Sequence, residues 1–254
     1  MIRILIFSLL VLAALSCSRD RKIAPDAPRL TGLLKTVTVQ SSSGETKEEY
    51  TYSDSFTLKS IRCTRGGQSM VETFKYENDT LRTSQVGDTL KKYVYQNKRL
   101  VWIEKHVTGK PESAIIVMFN YYSGDKVSSI EKRLNRPGNF QEKFSIIWRG
   151  DNISMFREYF ADGLVEDYDF QYSESRSPYS RLYSETLRIP AENPHILSYN
   201  NTSNYSTFYT GKKYRVEGKY LANRFPVSET IYEFDSGNGG EWKVIKQNTF
   251  EYYE

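Results

Sequence analysis

The stretch FKYENDTL, Phe74–Leu81, contains every part of a motif that recurs along the chain and decides the fold. Two aromatic residues are separated by one other residue, a short polar segment follows, and a leucine opens the next apolar run. Side chains of a β-strand alternate between its two faces, so Phe74 and Tyr76 face one side while Lys75 faces the other. The Asn and Asp of the polar segment suit the backbone of a tight turn. The stretch therefore predicts the end of one strand, a hairpin turn and the start of the next strand.

The same motif begins at six places, which are Tyr50, Phe74, Tyr93, Phe119, Phe144 and Tyr168. Successive starts lie 24, 19, 26, 25 and 24 residues apart, and this drift indicates hairpins with variable loops rather than a solenoid. An aliphatic residue opens the second strand of most units, namely Leu58, Leu81, Leu100, Val127 and Ile153. The pattern predicts an all-β fold, a large antiparallel meander of hairpins forming a curved sheet or half-open barrel.

The aromatic pairs are expected to form a core on one face of this sheet. Neighbouring pairs would then meet across strands, each contact contributing about 0.2–1 kcal/mol. An exposed platform that stacks sugars is the functional alternative, but large aromatic side chains are buried far more often than exposed.

Composition agrees with a β-rich domain and excludes one class of partner. The 254 residues include 20 Tyr, 13 Phe and 3 Trp, and these residue types favour half-buried pleated surfaces. Basic and acidic residues nearly balance at 35 against 31, without a long basic run, so no nucleic acid partner is predicted.

The N-terminal segment MIRILIFSLLVLAALSC has the form of a secretory signal. Arg3 is followed by an apolar run too short to span a bilayer comfortably. The ending AALSC resembles the lipobox of bacterial lipoproteins, with Cys17 in the position that is acylated. The resemblance implies that residues 1–16 are a lipoprotein signal peptide and that Cys17 carries the lipid anchor. An ordinary signal peptide or a short membrane helix are the alternatives.

The residues after the cysteine suggest a tether and a location. Residues 17–34 are polar with two prolines, which predicts a lipidated cysteine and tether ahead of a single β-rich repeat domain at 35–254. Ser18 resembles the second mature residue of lipoproteins sent to the outer membrane. Arg19 and Arg21 replace the acidic residues common in surface-exposed lipoproteins, so the periplasmic face is the expected location.

Aromatic-x-aromatic hairpins behind a lipobox resemble the tyrosine-rich β-sheet lipoproteins of anaerobic Gram-negative gut bacteria. These are distantly similar to the tyrosine–aspartate repeats of large secreted bacterial proteins. The resemblance implies a broad, coiled or half-open antiparallel sheet and carries no assigned activity.

The repeat pattern is interrupted after Tyr172. Ser177 as a cap, Pro178 at the first position and apolar residues at helical spacing predict one short helix near 178–188. NNTSNYSTFYTGKK, residues 200–213, reads as a polar loop. YEF at 232–234 and FEY at 250–252 repeat the aromatic alternation, which predicts that the same sheet continues to the C-terminus.

No motif that carries enzyme chemistry is present in the sequence. His106 and His195 have no second ligand at metal-binding spacing, and no nucleophile elbow occurs. No cofactor, metal site or catalytic residue is therefore predicted. The acids Asp167 and Asp169 share one strand face about 6–7 Å apart, which approaches the carboxyl separation of inverting glycosidases.

We therefore expect a non-enzymatic, lipid-anchored envelope protein that binds or scaffolds an envelope protein or a glycan. The rival is a glycan-active hydrolase using acids on the polar sheet face. A membrane-spanning barrel is disfavoured because Glu72, Lys91 and Glu142 interrupt the strands, whereas such barrels present a continuous apolar band to lipid.

Overall fold

A computed structural model describes residues 32–134, 140–180, 198–237 and 239–254. These residues form sixteen β-strands, and among them no helix is long and apolar enough to cross a membrane. The strands are β1 Leu34–Ser41, β2 Gly44–Tyr52, β3 Leu58–Arg65, β4 Gln68–Glu77, β5 Thr80–Val86, β6 Thr89–Gln96, β7 Arg99–Val107, β8 Lys110–Tyr121, β9 Val127–Leu134, β10 Phe140–Arg149, β11 Asn152–Phe160, β12 Val165–Arg176, β13 Asn200–Thr207, β14 Lys213–Tyr220, β15 Pro226–Asp235 and β16 Glu241–Tyr252.

Each strand pairs antiparallel with the next one along the chain, and β1 pairs with β16. The all-β antiparallel meander is thus confirmed, whereas the expectation of a curved sheet or half-open barrel is wrong, because the barrel is closed. The closing register runs from Leu34 opposite Tyr252 to Ser41 opposite Lys246. Closure leaves neither end of the meander with an unpaired strand edge.

The recurring motif forms a hairpin with a β-bulge just beyond its turn. In the stretch that opens this article, Asn78 and Asp79 both have positive φ (47° and 58°), as a two-residue type I′ turn requires. Tyr76 pairs with Leu81, but Lys75 pairs with Thr83, so one extra residue lies in the following strand. The same register shift precedes the second ring of several other pairs, namely Tyr52, Tyr95, Tyr121 and Trp148.

The second ring of several pairs also reaches back to the preceding hairpin. The Tyr76 hydroxyl donates to the Leu58 carbonyl at 2.9 Å, and the Tyr121 hydroxyl to the Leu100 carbonyl at 2.7 Å. Leu58 and Leu100 are the residues beside the bulges, where the regular ladder of backbone hydrogen bonds is interrupted. The ring hydroxyl therefore supplies a donor to a buried carbonyl at the bulge. Equivalent bonds come from Tyr52 to Leu34, from the Trp148 indole to Val127, and from Tyr252 to Pro226.

The first rings and the aliphatic strand openers form the core inside the barrel. Phe74, Tyr93 and Phe119 are all buried in one hydrophobic cluster, as the repeat predicts. Leu58 and Leu100 in the same cluster are fully buried, with 0% of their surface exposed. The aromatic pairs are therefore core residues of the barrel rather than an exposed platform.

The outer wall of the barrel carries many charged and polar side chains. Cross-strand registers place on it the residues Thr38, Lys47, Glu49, Arg62, Thr73, Lys92, Glu131, Arg157, Asp167, Glu217 and Gln247. Ion pairs join several of them, as between Lys47 and Glu49 at 3.0 Å. Apolar residues also lie on this wall, namely Val94, Trp102, Met118, Ile147 and Met155.

The residues from which the sequence argued against a spanning barrel lie inside. Glu72 accepts hydrogen bonds from Ser84 at 2.7 Å and from Lys91 at 3.0 Å, and Ser84 also bonds the buried Tyr93 hydroxyl at 3.1 Å. Glu142 likewise lines an internal cavity. That argument was therefore wrong in its residues, because inward charges do not interrupt an outer band.

Several predictions from the sequence fall outside the described residues. The signal peptide 1–16, the acylated Cys17 and all but the last three residues of the tether 17–34 are among them, as are residues 181–188 of the helix near 178–188. The described beginning of that segment is a turn at Pro178 and Tyr179, in which Pro178 is buried. YEF does continue the sheet, but Tyr232 and Phe234 lie on the outer wall.

The bond between Tyr76 and the Leu58 carbonyl can be tested by removing one oxygen atom. Tyr76→Phe keeps the ring and leaves a buried carbonyl without this donor, so we expect unfolding free energy to fall by about 1–2 kcal/mol in urea titrations. Tyr209→Phe, at an exposed side chain, is the control and should change stability by less than about 0.5 kcal/mol. Equal stability of both variants would show that the bond contributes nothing.

Candidate ligand-binding cavity

One half of the barrel interior is hollow. A cavity of about 570 Å³ is lined by inward side chains of strands β9 to β16 together with Ser177, Pro178 and Tyr179. No residue of β1 to β8 lines it, and the inward positions of those strands carry most of the rings and aliphatic residues of the core together with the Glu72–Lys91–Ser84 group. Cavities of this size are typical of small-ligand sites.

A ladder of rings forms one wall of the cavity across β11 to β14. Phe156 stacks on Tyr168 at 4.3 Å, Phe170 lies 5.8 Å from Tyr205, and Tyr205 stacks on Tyr214 at 4.3 Å between ring centroids. Because the faces contact one another along the sheet, the cavity meets mainly the ring edges. This geometry disfavours face-on stacking of a sugar and leaves recognition to the polar groups.

Two carboxyl groups meet on the wall formed by β10 and β11. Glu158 hydrogen-bonds Glu142 and accepts a hydrogen bond from the Tyr168 hydroxyl at 2.9 Å. Lys132 on β9 approaches Glu142 at 3.5 Å. Burial raises the pKa of Glu158 to about 7, with the neighbouring Glu142 acting in the same direction. Glu158 is therefore partly protonated near neutral pH.

A third carboxyl group lies on β15 among amides. Glu229 accepts hydrogen bonds from the side-chain amides of Asn201 and Asn248, the latter at 3.2 Å. Burial raises the pKa of Glu229, while these amides and the charge of Lys246 favour its ionised form. The Asn248 Oδ1 atom is buried and has no hydrogen-bond partner within the described part of the chain.

Glu166 on β12 orders the loop between β13 and β14 instead of lining the cavity. Its carboxylate accepts backbone hydrogen bonds from Tyr209 at 2.6 Å and from Thr210 at 3.2 Å. The Phe208 backbone N–H donates to the Asp167 carbonyl at 2.9 Å. The β13–β14 loop is thereby fixed with the side chains of Phe208 and Tyr209 exposed at 84% and 68%.

The structure places the acids suggested by the sequence away from the cavity. Asp167 lies on the outer wall in a two-point ion pair with Arg157, at 2.6 and 2.7 Å, which lowers the pKa of this carboxyl. Asp169 is exposed on the same face. Inside the barrel, Glu142 and Glu158 touch each other, whereas glycosidase carboxyls stand about 5 Å or more apart with the substrate between them. The outer pair therefore lies away from the cavity with Asp167 held by Arg157, and the inner pair is too close for glycoside hydrolysis.

Sequence reasoning missed most of the cavity residues. Residues 200–213 read as a polar loop, yet Asn200–Thr207 is strand β13, and Asn200, Asn201 and Thr202 line the cavity. Polar inward positions conceal the apolar alternation that normally marks a strand. The available signal was alternation at the adjacent Tyr205 and Thr207, which is too short to be decisive. Among the residues that the structure describes, no group of three or more His, Cys, Asp or Glu could hold a metal ion.

Comparison with known proteins supports the fold only. No protein-family model matches the sequence, and a search of curated proteins returns no match. A solved structure described as a porin-like protein from Bacteroides uniformis aligns with a TM-score of 0.64 at 10% identity, covering 88% of this chain and 98% of that one. A porin-like protein from Bacteroides vulgatus aligns with a TM-score of 0.40 at 11% identity, covering 87% and 99%, which is too low to support an argument. The chain therefore shares an all-β barrel fold with the first of these.

The raised pKa of Glu158 predicts that the stability of the protein depends on pH. A carboxyl whose pKa is higher in the folded state favours folding when protonated, so its contribution is complete below about pH 4.5 and lost as pH rises to about 7. We expect Glu158→Gln to remove about 1–2 kcal/mol of the stability difference across this window, measured by urea unfolding at several pH values. Asp169→Asn on the outer wall is the matched control and should retain the wild-type slope. If the stability of Glu158→Gln changes with pH as steeply as that of the wild type, Glu158 is not the group that binds this proton.

Proposed function

We propose that the protein is a lipid-anchored protein of the bacterial cell envelope that binds a ligand inside its barrel. The observation that supports binding most directly is the cavity, which keeps three carboxyl groups, two lysines and several amides inside an otherwise apolar core. Burying such groups costs stability unless they serve a ligand or one another. The volume and mixed lining match those of small-molecule and glycan-fragment sites.

The envelope location rests on the N-terminal sequence together with the fold. The lipobox-like ending at Cys17 and the resemblance to tyrosine-rich lipoproteins of anaerobic Gram-negative gut bacteria favour an acylated protein on the periplasmic face of the outer membrane. A fold neighbour described as porin-like, from Bacteroides, is consistent with that setting. An outer wall with many charged side chains suits a barrel held beside a membrane instead of within it.

In this proposal, the tether from the anchor joins the barrel at the end where the described chain begins. Gly32 donates its backbone N–H to the Tyr253 carbonyl at 2.7 Å, and Tyr253 donates to the Leu33 carbonyl at 2.9 Å. The chain thus enters the barrel at the end where the Tyr52 and Tyr76 hydroxyls bind carbonyls of the bulges. A tether from Cys17 would lead to this end.

The anchor is tested by substituting its acceptor residue. We expect Cys17→Ala to move the protein from the membrane fraction to the soluble fraction and to abolish metabolic labelling with a fatty acid, because the acyl chains supply the membrane affinity. Cys63→Ala, which removes the other cysteine, should leave both readouts unchanged. Labelling that survives Cys17→Ala would refute the anchor.

A second candidate function, docking of another envelope protein, is favoured by the β13–β14 loop. Phe208 and Tyr209 are the most exposed large hydrophobic residues described, and Glu166 fixes the loop that carries them. Exposed aromatic residues on an ordered loop resemble the anchors that dominate protein interfaces.

One purification separates the two candidates. The acylated protein is isolated from membranes, and its bound small molecules and proteins are identified by mass spectrometry. If the cavity binds the ligand, Val216→Trp should fill the cavity and remove the small molecule, while Phe208→Ala with Tyr209→Ala should not. If protein docking is the function, the loop variant should lose the partner and Val216→Trp should keep it. Recovery of neither species from the wild type would count against both candidates.

A further inference from the structure

The cavity has one more acidic group than it has basic groups. Its described lining contains Glu142, Glu158 and Glu229 together with Lys132 and Lys246. Lys132 lies 3.5 Å from Glu142, and the charge of Lys246 acts on Glu229. Glu158 has neither lysine as its partner. Its nearest charged neighbour is another carboxylate.

The surroundings of Glu158 supply no cation from any strand packed against it. Glu142 faces it from β10, and Tyr168 and Glu166 from β12. The Tyr168 hydroxyl donates one hydrogen bond, and Glu166 is held by the backbone amides of the β13–β14 loop. A proton on Glu158 therefore balances the charge when no ligand is bound.

A further polar atom in the cavity wall also needs a donor. Asn248 is a lining residue with 9% of its surface exposed, and its Oδ1 atom is the buried acceptor without a partner described above. Its Nδ2 is already committed to Glu229. The carboxyl pair and this amide oxygen all call for donors, so the wall is matched to a ligand that donates hydrogen bonds.

Part of the remaining lining is apolar and suits a hydrocarbon frame. Val216, Ile231 and Ile245 lie on β14 to β16, while polar side chains line other parts of the wall, namely Ser177, Asn200, Asn201 and Thr202. The ring edges of the β11–β14 ladder add weakly positive surface, which disfavours a second cationic group there. One charge on an apolar body fits this distribution best.

We infer that the cavity selects a small organic cation, a primary ammonium on an apolar frame, and that the Glu142–Glu158 pair binds the ammonium group. This inference rests on the proposed function, in which the cavity is the ligand site. As the ammonium binds, Glu158 releases its proton to solvent, so the charge inside the barrel is unchanged. An ammonium replaces this proton with three N–H donors, which fits two carboxylates.

Benzylamine and benzyl alcohol form a matched pair of probes, since they differ mainly in the charged group. Titration calorimetry on the mature chain carrying Cys17→Ala, at pH 8, should give a dissociation constant for benzylamine of about 1 mM, as expected for a ligand of this size. Benzyl alcohol should bind about tenfold more weakly, because it makes no charge-assisted hydrogen bond.

Proton competition gives a second and independent readout. Affinity for benzylamine should fall about tenfold between pH 8 and pH 6, and calorimetry in buffers of different ionisation enthalpy should show close to one proton released near pH 6. Glu158→Gln should remove the preference for the amine and the pH dependence together. Asp169→Asn, on the outer wall of the next strand, should keep both.

The other possible outcomes of these titrations would each overturn the inference. Equal binding of the amine and the alcohol would overturn the ammonium site while leaving the proposed ligand cavity in place. Absence of benzylamine binding, or a preference that survives Glu158→Gln, would overturn the inference as well. If Glu158→Gln fails to fold, Glu142→Gln and the proton count of the wild type test the same pair.

Discussion

A hydrogen bond from an inward aromatic ring to a backbone carbonyl of the preceding hairpin recurs around the barrel, and the rest of the structure depends on it. The bulge beside Leu58 removes a residue from the ladder, and the Tyr76 hydroxyl satisfies the carbonyl there. In the hairpins that have this bond, the ring thus fixes the position of the neighbouring hairpin before it. Bulges bend and twist a sheet, and repeating them in one sense is a way to curve a meander until it closes.

In a closed barrel, each side chain of a strand faces either the interior or the outside. Inward positions of the first eight strands carry mostly rings and aliphatic residues, and none of these strands lines the cavity. Inward positions of the last eight strands carry carboxylates, lysines and amides among the rings, and this half is hollow. The inward polar groups of the first eight strands satisfy one another, as Glu72, Lys91 and Ser84 do. The hollow half has three carboxyl groups against two lysines. This excess of acid gives the cavity its preference for a ligand that donates hydrogen bonds.

The repeat could be read from sequence because it is local. Phe74, Tyr76 and Leu81 lie within eight residues, and alternation along a strand determines which of them share a face. The turn at Asn78 and Asp79 was equally evident, since few residue types tolerate positive φ. By contrast, β13 was missed because Asn200, Asn201 and Thr202 point inward but are polar. Glu72, Lys91 and Glu142 were assigned to the outside for the same reason, as periodicity identifies a face by its hydrophobicity.

The sequence by itself determined the antiparallel hairpins, the inward side of their rings and the residues that open each strand, since all of these follow from contacts between near neighbours. Only the tertiary structure decided that β1 meets β16, that Glu142 and Glu158 meet inside the barrel, and that Asn248 lies near Glu229. These contacts join residues from different hairpins whose registers accumulate around the whole barrel. Small shifts at each bulge add up over sixteen strands, and no local pattern records their sum.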